Sequence, residues 1–371
     1  MKSILGIVFS NMHEHLMSDL TPHRCMGSVP IGGRYRLIDF ALSSLVHSGI
    51  QDVGIVTKAN YQSLMDHLGN GREWDLNRKK GGIVMLPPFA HTGPSMYRGK
   101  IEALQGIMGF IKSRGAQYIL TTDCDVILNT TFDEMFASHV DTGADITIMY
   151  KKMELQDTTA KDTVVLGIGP DGKITDILAN PMLAGPQNIY LNIMIISKSL
   201  LEYVVGNCYS RNLFNFERDV LQAGISQYNI NAFEYTGHVS RLSSLQTYYA
   251  ANLSLLDPRV KSDLFPRGLP VYTKVADEPP VRYGLDAKVS NSLLADGCQI
   301  EGEVEGSVLF RSVTVSKGAK IKNSVIMQGT TIGENCNLDC VITDKNVTIR
   351  DGRILAGFRT YPVYISKNAV V

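Results

Sequence analysis

From Val289 to Ile349, small apolar residues return at intervals near six: Leu294 and Ile300, Val315 and Ile321, then Ile326, Ile332 and Leu338, then Val341 and Val347. Glycine and asparagine fall between them, in DGCQIEG, SKGAKIKNS, TTIGENCNL and KNVTIRDG. A hexapeptide period belongs to a parallel β-helix, in which each coil stacks an apolar side chain on the one below. An antiparallel meander also yields short Val/Ile runs, but it does not generate a recurring apolar-Gly-x-Asn unit. The period assigns residues 286–371 to a β-helix domain.

Residues 1–256 follow another pattern. Ser3–Phe9 reads as a strand, Leu37–Ser48 as an amphipathic helix ending at Gly49, Asp52–Thr57 as a strand and Tyr61–Leu68 as a helix. Lys100–Arg114 reads as one helix, followed by the strand Tyr118–Thr122. Strands alternating with helices imply an α/β domain with a mostly parallel sheet and helices on both faces. In such sheets ligands sit beyond the carboxyl ends of the strands, which places residues 9–16 and 122–125 at one rim. Between the domains, residues 257–285 hold five prolines and few helical signals, and read as an extended linker.

Charge and composition exclude some classes. Thirty-six basic residues balance 36 acidic ones, so there is no electrostatic footprint for nucleic acid or an anionic membrane. The opening MKSILGIVFSNMHEH is too brief in its apolar run for a signal peptide and reads as a buried first strand. No stretch approaches the ~20 apolar residues of a membrane-spanning helix. Six cysteines lack a disulfide-like rhythm, and Cys336 and Cys340 have no nearby His to complete a metal clip. These features predict a cytoplasmic protein.

Several segments carry a family resemblance that spans nearly the whole chain. They are VPIGGRYRLIDFALSSLVHSGI (Val29–Ile50), REWDLNRKKGGIVMLPP (Arg72–Pro88), MYRGKIEAL (Met96–Leu104) and ILTTDCD (Ile119–Asp125). Together with the domain order they resemble the ADP-glucose pyrophosphorylases, also called glucose-1-phosphate adenylyltransferases. The resemblance implies a Rossmann-like nucleotidyltransferase domain followed by a left-handed β-helix. It also implies a phosphate-cradling L-A-G-G-x-G-x-R-L loop, which here reads VFSNMHEHL. Ser10 and Asn11 replace two glycines, His13 a third, and His15 an arginine. Glycine is needed where backbone turns with positive φ close to a phosphate, so these side chains obstruct the nucleotide.

Other positions depart in the same direction. The family's R-A-K-P is Arg24-Cys25-Met26-Gly27, with Met26 in place of a phosphate-neutralising lysine. Its F-x-E-K-P is Ile177-Leu178-Ala179-Asn180-Pro181, with Asn180 for the lysine, and its G-T-A-D is Gly99-Lys100-Ile101-Glu102. The late W-R-D-V-G reads VSRLS, putting Arg241 where the second metal-binding aspartate would stand; of that pair, the first carboxylate survives at Asp123. Like charges ~4 Å apart cost about 4 kcal/mol per unit pair at an effective dielectric near 20, so Arg241 opposes a divalent ion. Asp123 and Asp125 read as vestigial carboxylates, and no metal or cofactor is expected in this chain, Mg²⁺ belonging to a catalytic partner. The histidines near the first loop (His13, His15, His23) read as a polar surface loop.

Arg24, Arg36 and Lys345 match positions where the family binds phosphorylated activators. The resemblance therefore implies a catalytically degenerate regulatory subunit, joined to a catalytic pyrophosphorylase subunit in a hetero-tetramer and forming a homo-oligomer when alone. An active adenylyltransferase with an atypical site is the alternative. A hexapeptide-repeat acyltransferase fits less, because all eight histidines precede residue 239 and leave the β-helix without a base.

Overall fold

The computed structural model describes residues 3–88, 97–155, 162–170 and 172–371. The strand Ile4–Phe9 is buried along its whole length, as a continuous apolar run in a sheet covered on both faces must be. It lies between the parallel strands Tyr118–Asp123 and Asp52–Val56, with Gly82–Leu86 beyond the latter. On the other side, Gly185–Ser197 runs antiparallel to Tyr118–Asp123 and continues the sheet through Val164–Ile168 to Ile174–Ala179. Ile146–Leu155 and Ile230–Glu234 branch off it, giving nine strands in all.

Register decides where the rim falls. Phe9 pairs with Asp123, so the chain leaving the first strand and the D-C-D turn emerge side by side. The helix Leu37–His47 opens with the Arg36 amide donating to the Asp39 carboxylate at 2.9 Å. It closes before Gly49, whose φ of 73° suits the left-handed conformation that ends helices.

Two local expectations need correction. The helix read over 100–114 is two, Lys100–Gly106 and Met108–Ser113, broken at Ile107. Gly106 and Gly109 flank that break, and glycine disfavours helix interiors by about 1 kcal/mol. Part of the segment read as an extended linker is also helical: Pro258–Leu264 starts on Asp257, whose side chain accepts the Arg259 amide at 2.8 Å. Pro258 at the first helical position is favourable, because its missing N–H has no intrahelical partner there. The remaining linker is tied to the first domain by Asn129 Nδ2, which donates to the carbonyls of Leu264 and Leu269 at 2.9 and 2.7 Å.

The C-terminal domain is a left-handed β-helix built from three parallel five-stranded sheets of short strands. Val304, Ile321, Leu338 and Leu355 stack in register on one of them. Asn291, Asn323, Asn335 and Asn346 take positive φ at the corners, which explains the recurring asparagine, since it tolerates that region best after glycine. One flank of the β-helix shares a core with the first domain, where Val308, Phe310, Val325, Met327 and Ile342 join Tyr248, Tyr249 and Leu255. Tyr248 Oη donates to the Pro30 carbonyl at 2.7 Å, and Tyr249 Oη to the Asn323 carbonyl across the domain boundary. Among the described residues, no helix is long and apolar enough to cross a membrane.

Candidate functional site: a self-neutralised rim and a basic interdomain cavity

At the rim, Asp123 ends its strand and is fully buried. Its Oδ2 receives two cationic donors, His13 Nε2 at 2.9 Å and Lys100 Nζ at 3.1 Å. The other ring nitrogen of His13, Nδ1, lies 3.0 Å from Asp162 Oδ2. Ionised carboxylates only accept, so an imidazole held between two of them donates from both nitrogens and is an imidazolium. Burial disfavours that charge, but Asp125, Asp123 and Asp162 outweigh burial and raise the His13 pKa to about 10. Lys100 obeys the same balance: burial opposes its charge, and Asp123 with Glu217, 2.8 Å away, hold its pKa well above the usual lysine range.

Asp125 Oδ2 accepts from Asn192 Nδ2 at 3.0 Å, and Arg241 Nε stands 3.7 Å from it. Arg241 also donates to Thr163 Oγ1 at 2.6 Å and to the Asp162 carbonyl, and His15 Nε2 lies 3.0 Å from Asp162 Oδ2. Three cations from the first domain, His13, Lys100 and Arg241, thus face the four carboxylates of Asp123, Asp125, Asp162 and Glu217. The cavity left beside them measures about 160 Å³, bordered by His13, His15, Gly99, Lys100, Asn180 and Asn192. Sites for drug-sized ligands run to ~300–1,000 Å³, more than the described residues leave open here. Gly99 is required in its wall: a Cβ there would lie 2.2 Å from the Phe214 carbonyl oxygen.

A divalent ion, which the family resemblance implies, would have to be held by these groups. Ligand atoms of His13, Asp123 and Asp125 lie within 4.8 Å of one another, a separation a metal could bridge. The chemistry of the set does not fit, however, because His13 uses both nitrogens as donors and Asp123 Oδ2 already carries two cations. The rim as built is matched to its own cations.

Several sequence expectations change here. His13 is an interior ion-pair partner rather than part of a solvated loop; His15, 59% exposed, is at the surface. Ser10 is buried and donates to the Val56 carbonyl at 2.9 Å, and Asn11 is buried as well, so neither lines the cavity. Met26 packs into the hydrophobic core. Glu102 pairs with Arg98, which lies just before the helix: the Arg98 side chain donates to Glu102 Oε1 and its backbone amide donates to Oε2 at 2.6 Å. Lys100, Asp162, Asn192 and Glu217 were not singled out from the sequence. A lysine in place of threonine beside Gly99 was the available signal for the first; the others come to the rim only through long-range folding.

The three residues matched to activator binding separate. Arg24 is buried and spends its guanidinium on Asp344, at 2.7 and 2.8 Å, so it does not face open solvent as an anion site requires. Arg36 and Lys345 do converge, on a cavity of about 230 Å³ between the domains. Arg34, Lys274 and Arg311 also line it, and among the described residues the lining holds no carboxylate side chain. Arg36 Nη1 donates to Ser63 Oγ at 2.9 Å, which fixes the guanidinium at the cavity edge. Burial, then repulsion by Arg36 and Arg24, pushes the Lys345 pKa down to about 7.

Comparison with known proteins agrees with this architecture. A family model described as nucleotidyl transferase matches residues 16–229, and one described as GlmU-like, C-terminal hexapeptide matches residues 280–357. The chain is 34% identical to the glycogen biosynthesis protein GlgD of Bacillus subtilis over 368 residues, covering 99% of this chain and 96% of that one. It is 31% identical to glucose-1-phosphate adenylyltransferases of Bacillus cereus and Bacillus anthracis over 345 residues, 91% of each chain. On its motifs, its two-domain fold and these relatives, the chain belongs to the glucose-1-phosphate adenylyltransferase family.

Proposed function

We propose that this chain is a non-catalytic regulatory subunit in bacterial glycogen synthesis. It assembles with a catalytic glucose-1-phosphate adenylyltransferase subunit in a mixed tetramer and raises that subunit's conversion of ATP and glucose 1-phosphate to ADP-glucose. The observation that carries the reading is the pairing of Asp123 with His13 and Lys100, two cations of the chain itself. Nucleotidyl transfer needs cradled phosphates, a divalent ion and positive charge placed where the transition state turns negative. Here His13 stands in the cavity beside the first loop and the rim's charges are spent on one another. The parts that build the fold and its packing surfaces are kept, and their likeness to GlgD supports the same reading.

A subunit without chemistry alters its neighbour by packing better against the neighbour's active conformation, and a bias of ~1–3 kcal/mol gives roughly 5–150-fold coupling. The cavity lined by Arg36 and Lys345 is the place for a phosphorylated metabolite that adjusts this bias. Co-expression with the catalytic subunit, co-purification and kinetics of the complex test the proposal. A stable complex with higher turnover or lower KM than the partner alone is the expected result. Failure to associate, or kinetics identical to the partner's, overturns it.

A further inference from the structure

The rim carries its two aspartates in an unusual state. Asp123 presents Oδ2 to His13 and Lys100, while its Oδ1 is buried without a hydrogen-bond partner. Asp125 presents Oδ2 to Asn192 and Arg241, and its Oδ1 is likewise buried and unpartnered. Buried carboxylate oxygens are ordinarily satisfied, and here two residues whose ligand atoms come within 4.8 Å of one another each keep one oxygen unused. What keeps the pair stable is the charge supplied by His13 and Lys100, each anchored on a second carboxylate, Asp162 and Glu217.

We infer that His13 and Lys100 are built-in replacements for a divalent cation, so that this chain refuses the metal as it stands and regains a metal site when those two charges are removed. Both side chains are held from behind, so an incoming ion must either displace two tethered cations or sit beside them. Removing the two charges leaves Asp123 without a cation and Asp125 with Arg241 alone, 3.7 Å away, so the buried pair carries excess negative charge for which a divalent ion is the natural counter-charge. The inference concerns the isolated chain and stands whether or not a partner subunit binds.

The test is Mn²⁺ binding to the full chain, followed by electron paramagnetic resonance of the free ion and by calorimetry. Unaltered protein is expected to show no saturable site. His13→Gln combined with Lys100→Met, checked for folding by circular dichroism, is expected to bind one Mn²⁺ at least about tenfold more tightly than the unaltered chain. Adding Asp123→Asn should abolish that gain. His13→Gln alone, which keeps the Lys100–Glu217 pair, should give a weaker gain and serves if the double variant does not fold. A stoichiometric site in the unaltered chain that Asp123→Asn removes overturns the inference, as does a folded double variant that binds no more Mn²⁺ than the original.

Discussion

Arg24 Nη2 lies 2.7 and 2.8 Å from the two carboxylate oxygens of Asp344, joining the loop after the first strand to the β-helix through a buried ion pair. Tyr364 Oη completes the arrangement, its single proton within reach of both the Asp19 carbonyl at 2.8 Å and Asp344 Oδ2 at 3.1 Å. The pair sits one residue before Lys345, so domain docking and the basic cavity share one short segment of the β-helix.

Replacing Arg24 with alanine leaves Asp344 charged and buried without its partner. Such a change costs about 3–5 kcal/mol, whereas removing both charges costs much less. Arg24→Ala is expected to lower the denaturant midpoint sharply, and Arg24→Ala with Asp344→Asn to recover most of the loss. Equal destabilisation in the single and double variants, measured by urea unfolding, would show that the pair does not link the domains.

The depressed Lys345 pKa gives the basic cavity a pH signature. With a folded value of about 7 against the ordinary 10.5, the native chain binds fewer protons than the unfolded chain between those values. The penalty of the charged amine is therefore full below pH 7 and fades as pH rises toward 10.5. Lys345→Gln should raise the melting temperature most at pH 6 and hardly at all near pH 10. An anion in the cavity restores the proton, so sulfate, whose own charge is constant in this range, should bind more tightly as pH falls from 8 to 6, with proton uptake visible by calorimetry in buffers of different ionisation heat. Binding that is pH-independent, or unchanged in Lys345→Gln, would contradict this.

The isolated chain should make ADP-glucose at no more than about a hundredth of the rate of an ordinary family enzyme, a gap of ~2.7 kcal/mol in barrier. Arg241→Asp alone should not revive it, because His13 and Lys100 remain on Asp123 and groups that act as a unit are not restored singly. A pyrophosphate-release assay on the chain and on this variant checks both statements.

The β-helix was the most legible part of the sequence. Its period writes the stack of Val304, Ile321 and Leu338 directly into residue spacing, because each coil repeats the same environment. The parallel strands of the first domain were legible too, since strands such as Ile4–Phe9 are apolar runs between turn signals. The rim was legible only as a set of losses. That Gly99-Lys100 departs from the family could be read, but that Lys100 meets Glu217 across more than a hundred residues could not, as no local pattern encodes such a pairing. Arg24 shows the opposite limit: its position matched an anion site, while its charge is consumed by Asp344, a carboxylate that only the folded β-helix brings near. The turn that makes Pro258–Leu264 helical was present in the Asp-Pro start and was masked by the prolines after it.

In the proposed mixed assembly, chemistry belongs entirely to the partner and this chain tunes it. The most direct measurement is ADP-glucose formation by the purified complex in which the partner's own metal-binding aspartate is replaced by asparagine and this chain is unaltered. The complex should still assemble but turn over at no more than about one per cent of the fully native complex. A rate near half that of the native complex would place a working active site in this chain and overturn its assignment as a non-catalytic subunit.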